Sequence, residues 1–126
     1  MIVKVMYYYL QGTKTTPHAL INDGYMRISG NAFPVEQQGF FNQINEQVDI
    51  YSKKPANRTV VEISLSYVNA SAKRAIVEFL SHLESLNNQG FKVDLKWWYE
   101  KDDDDVKELG EIYKSMFNIN IELIGK

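Results

Sequence analysis

The chain has 126 residues, of which 44% are hydrophobic, enough for one domain that buries roughly two-thirds of its unfolded surface around a single core. Its 14 basic and 16 acidic residues leave a formal net charge of −2 with no basic block or aromatic-basic stripe, which excludes nucleic acid as a partner. It has no cysteine, so disulfides, thiolate catalysis and zinc-thiolate sites are excluded and nothing argues for an oxidising compartment.

The first ten residues are apolar-rich, but Lys4 interrupts them, three tyrosines follow, and no small-residue cleavage site precedes Gln11. Residues 2–10 therefore read as a strand and the chain as cytoplasmic, with no run approaching the ~18 apolar residues of a membrane span. Thr13-Lys14-Thr15-Thr16-Pro17 breaks the strand, because proline lacks an amide donor and restricts the residue before it. Residues 18–21 either extend that strand or start another. Asn22-Asp23-Gly24 is a turn signal, and residues 25–29 alternate well enough to form its hairpin partner. After a loop over 30–34, Phe41, Ile44, Val48 and Tyr51 fall three or four apart, giving an amphipathic helix over 36–51 with Phe40 beside its face.

Residues 60–86 form the centre of the pattern. Val61, Ile63, Leu65 and Tyr67 alternate with Glu62, Ser64 and Ser66, a strand of period two. From Ala72 the period changes: Ala72, Ile76, Phe79, Leu80, Leu83 and Leu86 recur at helical steps, with Lys73, Arg74, Glu78 and Glu84 pointing elsewhere. Asn69 stands where a helix N-cap belongs, and Gly90 where a left-handed residue can end the helix. Residues 91–99 give another strand with Phe91, Val93, Leu95 and Trp97 on one face. A third helix runs from Asp102 to Met116 on Val106, Leu109, Tyr113 and Met116, and residues 118–124 give a last strand on Ile119, Ile121 and Leu123.

The order β-β-α-β-α-β-α-β predicts a single α/β domain over residues 1–126, with a mixed sheet, mostly parallel later strands and right-handed crossovers. Functional groups in such sheets gather beyond the carboxyl ends of the strands, which is where Tyr67, Asn69, Ala70, Ser71, Ala72 and Lys73 fall. The first-turn amides and helix dipole make the surroundings of Ser71 suited to a phosphate or carboxylate, but Ser71 has neither a local base nor a G-x-S-x-G elbow. Asp102, Asp103, Asp104 and Asp105 invite a cation, yet consecutive helical residues fan out by about 100° each, which favours capping and dipole compensation. His18 and His82 belong to no paired ligand motif, and no cofactor is implied. Trp97 and Trp98 alternate across their strand, one toward the core and the other either packed under a helix or exposed as a partner anchor. Gly110 inside a helix signals close approach by a neighbour.

Thr13-Lys14-Thr15-Thr16-Pro17, Ile28-Ser29-Gly30 running to Phe33-Pro34, Tyr67-Val68-Asn69-Ala70-Ser71-Ala72, Trp97-Trp98-Tyr99, the aspartate run and Gly110-Glu111 occur in an order and spacing that resembles the SiaC family of bacterial regulatory phosphoproteins. The resemblance implies a STAS-like fold and a partner-switching role like that of anti-anti-sigma factors, in biofilm signalling. The protein would then be no enzyme but the substrate of a Ser/Thr kinase and a PP2C-like phosphatase, engaging an output partner such as a diguanylate cyclase through Tyr67 and residues 69–73. The family's phosphorylated threonine follows the junction asparagine, and Ala70 stands there in this chain. The implied module is therefore locked unphosphorylated, with neighbouring Ser71 as the substitute hydroxyl. Pro34-Val35-Glu36 is a second departure from the family pattern. Two readings from other classes stand beside it. One is a small-ligand- or metal-binding domain, or minor hydrolase, using the Ser71 helix start or Asp102 to Asp105. The other is a structural subunit that dimerises around Trp98 and Tyr99.

Overall fold

Alternating strands and amphipathic helices wind into one six-stranded sheet in a computed structural model that describes residues 7–32 and 38–126. The elements are β1 (Tyr7–Leu10), β2 (His18–Asn22), β3 (Tyr25–Asn31), α1 (Gln38–Ser52), β4 (Arg58–Ser66), α2 (Ala70–Asn88), β5 (Lys92–Tyr99), α3 (Asp104–Met116) and β6 (Asn120–Gly125). The strand expected over 2–6, the Phe33-Pro34 and Pro34-Val35-Glu36 segments and the first two residues expected of the first helix lie outside the described residues. The α/β fold class holds. His18–Asn22 is a strand of its own, paired antiparallel with both β1 and β3, so three strands and not two precede α1.

Spatial order follows chain order, β1-β2-β3-β4-β5-β6, with β3 to β6 all parallel. Every crossover therefore steps in the same direction. Right-handed crossovers that all step one way place their helices on one side of the sheet. The burial pattern agrees: along β4, Thr59, Val61, Ile63 and Leu65 are buried while the residues between them are not. Those side chains join Ile21, Met26, Ile28, Val93, Leu95, Trp97 and Ile121 from the other strands in one core with the apolar faces of α1, α2 and α3. Asn45 of α1 is the exception among the described residues, buried with neither amide atom bonded, an arrangement that costs about 1–3 kcal/mol.

The other face of the sheet carries no helix among the described residues. Its polar groups are bonded to one another across strands. Glu62 accepts from Tyr25 Oη at 2.5 Å and from Trp98 Nε1 at 3.0 Å. Asp94 accepts from Arg58 Nε at 2.6 Å and Asn120 Nδ2 at 2.9 Å. The Tyr25 hydroxyl holds the Glu62 carboxyl below the usual carboxylate range, and Asn120 does the same for Asp94 with help from Arg58. Register also sets Arg27, Glu62, Lys96 and Glu122 in one row of alternating sign, the favourable arrangement for directly opposed residues. Trp97 enters the core, and Trp98 lies half-buried on this uncovered face with its indole N–H on Glu62. Neither a helix over it nor free exposure describes its position.

Candidate functional site

Four parallel strands, β3 to β6, deliver their carboxyl ends to one edge, where the segments leaving β4 and β5 lead into α2 and α3. The β1–β2 loop joins that edge because β2 runs antiparallel to β3: Asn31 Nδ2 donates to Lys14 O at 3.4 Å, and Gly30 lies against Pro17 and His18. Within the loop, Thr13 Oγ1 accepts from the amides of Thr15 and Thr16, and His18 Nδ1 accepts from Gly12 N at 2.9 Å. Just past β3, Ala32 N donates to Ser66 O, at the end of β4. Most motif residues singled out in the sequence, separated by up to about ninety positions, thus share the carboxyl edge of the sheet.

At the β4–α2 junction Tyr67 takes φ +54° and is 67% exposed. A side chain in the left-handed region costs about 1–2 kcal/mol, and strain of this kind collects at functional surfaces. Asn69 is the N-cap, its Oδ1 accepting from Ala72 N at 2.8 Å, as its place before the helical period predicts. Ala70 is exposed on the first turn, Ser71 half-buried, Ala72 fully buried and Lys73 exposed. Ala70 and the neighbouring hydroxyl are therefore presented differently: methyl outward, hydroxyl partly covered.

The aspartate run caps α3. Asp103 Oδ1 accepts from Val106 N at 3.1 Å, and Asp104 and Asp105 fill the first turn, where carboxylates complement the helix dipole. No group of three or more metal-ligating side chains is arranged around an ion site among the described residues. Gly110 shows why α3 has a glycine: a Cβ there would lie 2.4 Å from Trp97 Cδ1 and 2.7 Å from Leu123 Cδ2. Trp97 Nε1 donates to Val106 O at 2.9 Å, and its ring meets Tyr113 edge-on with centroids 5.5 Å apart. Tyr113 then donates from its hydroxyl to Lys73 O at 2.9 Å, tying α3 to the first turn of α2, and burial pushes that hydroxyl's pKa up.

Between the two helix starts lies a groove of about 560 Å³. Tyr67, Val68 and Lys73 form one wall; Asp103, Asp105, Val106, Glu108, Leu109 and Ile112 form the other. Of the second wall, Glu108 and Ile112 were not singled out in the sequence, where Met116 was placed with the core face of the helix. Met116 is 53% exposed and Ile112 46%, and the core stripe continues from Tyr113 to Phe117 instead. The available signal was an apolar arc on α3 wider than one buried face requires, since Ile112 and Met116 lie beside Val106, Leu109 and Tyr113. Because all crossovers step one way, strand order never reverses, and the crevice that holds small ligands in doubly wound sheets does not form.

A strained junction, a shallow groove and exposed apolar side chains at one edge make this a small α/β domain with an open surface beyond the carboxyl ends of its strands. The chain matches the SiaC family regulatory phosphoprotein profile over residues 10–126 and belongs to that family. An uncharacterized protein of Pseudomonas aeruginosa strain UCBPP-PA14 is 27% identical over 109 residues, 84% of this chain and 86% of that one. Three solved structures share the fold. Apo-SiaC of P. aeruginosa has a TM-score of 0.83 at 24% identity, covering 94% of this chain and 98% of that one. A second structure of SiaC from that organism gives 0.85 at 22% identity, covering 96% and 99%. SiaC in complex with the diguanylate cyclase SiaD, whose activator it is, gives 0.84 at 22%, covering 94% and 99%.

Proposed function

We propose that this chain is a non-enzymatic, cytoplasmic docking module that engages a diguanylate cyclase through the surface around Tyr67, Asn69, Ala70, Ser71, Ala72 and Lys73, and that Ala70 holds it in the unphosphorylated state. The observation that carries the reading is the exposed methyl of Ala70 on the first turn of α2, beside a capped and strained junction, in a chain of a phosphoprotein family. The SiaC–SiaD complex of a protein with the same fold supports the choice of a cyclase as output partner. A phosphate on residue 70 would add about −1.5 to −2 charge and bulk at the helix start, and would obstruct close docking there through its size and the cost of desolvating it. Alanine removes that control, and Ser71 is turned by about 100° from the acceptor direction.

The kinase and phosphatase of a partner-switching pair then have no substrate position on this chain. Incubation with a Ser/Thr kinase of that class and ATP, read by intact-mass analysis, is expected to leave the protein unmodified and to add one phosphate to Ala70→Thr. Phosphate on Ser71 of the unaltered chain overturns the locked state. Calorimetric titration with SiaD tests the docking role, and failure to bind it or a cyclase encoded beside this chain's own gene overturns that role.

A further inference from the structure

We infer that the groove between the β4–α2 junction and α3 receives an amphipathic helix of the partner, with an apolar stripe flanked by lysine or arginine. The inference rests on the docking role proposed above and specifies what that surface recognises.

The exposed side of α3 is sorted by charge. At about 100° per residue, Asp105, Glu108, Ile112 and Met116 fall within an arc of roughly 80°, with Leu109 at its core-facing border. Lys107 and Lys114 lie on the far side of the helix. The groove therefore meets carboxylates and apolar side chains of α3 and none of its cations. Among the described residues Lys73 is the one cation in the lining, on the opposite wall and outnumbered by Asp103, Asp105 and Glu108. The apolar part is continuous with the core: Val68 and Leu109 are partly or fully buried at its base, while Ile112 and Tyr67 stand exposed at its mouth.

From Asp105 to Met116 the stripe extends about 16 Å at 1.5 Å per residue, three turns of a helix lying alongside. An apolar seam at helical spacing with a charged rim is the surface that an amphipathic helix fits, and the sign of the rim selects a basic one. Neither wall is free to drift, since Tyr113 ties α3 to Lys73 O and Trp97 holds Val106 O.

The test uses the full chain and synthetic helices of about 18 residues, long enough for helicity in isolation. One has a leucine face flanked by lysines, one has glutamates in their place, and one has the lysine composition with the leucines scattered. Fluorescence anisotropy is expected to show salt-sensitive binding of the lysine helix alone, weakened about tenfold by Asp105→Lys/Glu108→Lys and by Ile112→Gln. These positions are exposed, and circular dichroism confirms that the variants stay folded. Equal binding of the scattered peptide, or variants without effect, overturns the groove. The same variants are then titrated against SiaD. If the unaltered chain binds SiaD and the variants bind equally, the groove is wrong and the docking role stands. If the unaltered chain does not bind, the docking role fails and the peptide result alone judges the groove.

Discussion

The uncovered sheet face and the carboxyl-edge groove both meet water, and they dispose of their polar groups in opposite ways. On the sheet face, Glu62 and Asp94 each accept from two donors on other strands, and Arg27, Glu62, Lys96 and Glu122 alternate in sign along one row. Little remains there for a partner to bond. In the groove the carboxylates of Asp105 and Glu108 stand beside exposed Ile112 and Tyr67, with exposed Met116 a turn further along α3. Exposure alone therefore does not mark an interface. What separates the two regions is whether the surface already satisfies itself.

The comparison is broken most severely at Gly110, which seats α3 and so shapes the groove. Gly110→Ala puts a methyl into Trp97 and Leu123 and is expected to lower unfolding stability by about 1–3 kcal/mol, read as a fall in the urea midpoint, with weaker SiaD binding. Glu62→Ala strikes the other region. It strips the acceptor from Tyr25 and Trp98 and is expected to cost about 1 kcal/mol while leaving SiaD affinity unchanged. Lost cyclase binding would mean that the sheet face is the interface.

The same carboxylate gives a pH signature. Glu62 is more acidic folded than unfolded, so its contribution is present above the ordinary carboxylate value near pH 4 and disappears as pH falls through the lower folded value. Asp94 contributes with the same sign, so Glu62→Ala should reduce, not abolish, the loss of thermal midpoint on acidification. The smallest effect belongs to the junction. Tyr67→Gly relieves a positive φ against a larger loss of chain entropy, for an expected net gain of about 0.5 kcal/mol in denaturant titration together with weaker docking. A loss of stability would show that contacts of the tyrosine ring outweigh its backbone strain.

Local chemistry made much of this legible in the sequence. Asn69 and Gly90 sit at the cap positions that their side chains and backbone favour, and Gly90 does take φ +96°. The helical faces of α1 and α2 follow from period alone. The second strand was ambiguous because a run of three apolar residues, Ala19 to Ile21, between a proline and a turn carries no partner information; only its register with β1 and β3 defines it. Trp98 finds Glu62 across 36 positions, and the groove needs Val68 and Ile112 brought together by the Trp97 and Tyr113 bonds. Such juxtapositions arise from pairing and winding direction, which residue spacing does not encode. The proposed switch position rests on another kind of signal: Ala70 departs from a family pattern that the residues around it resemble.

The unreversed strand order has a consequence for how the molecule assembles. Each strand pairs with the one synthesised just before it, so no strand has to be inserted between two already in place. The β1–β2 and β2–β3 hairpins are the most local strand pairings, and each helical crossover adds one strand at the growing edge of the sheet. The sheet can therefore lengthen in the direction of translation, and β6, the last strand added, completes the floor on which α3 rests. The wall that carries Ile112 thus depends on a seat made by two neighbouring strands, through Trp97 of β5 and Leu123 of β6 beneath Gly110.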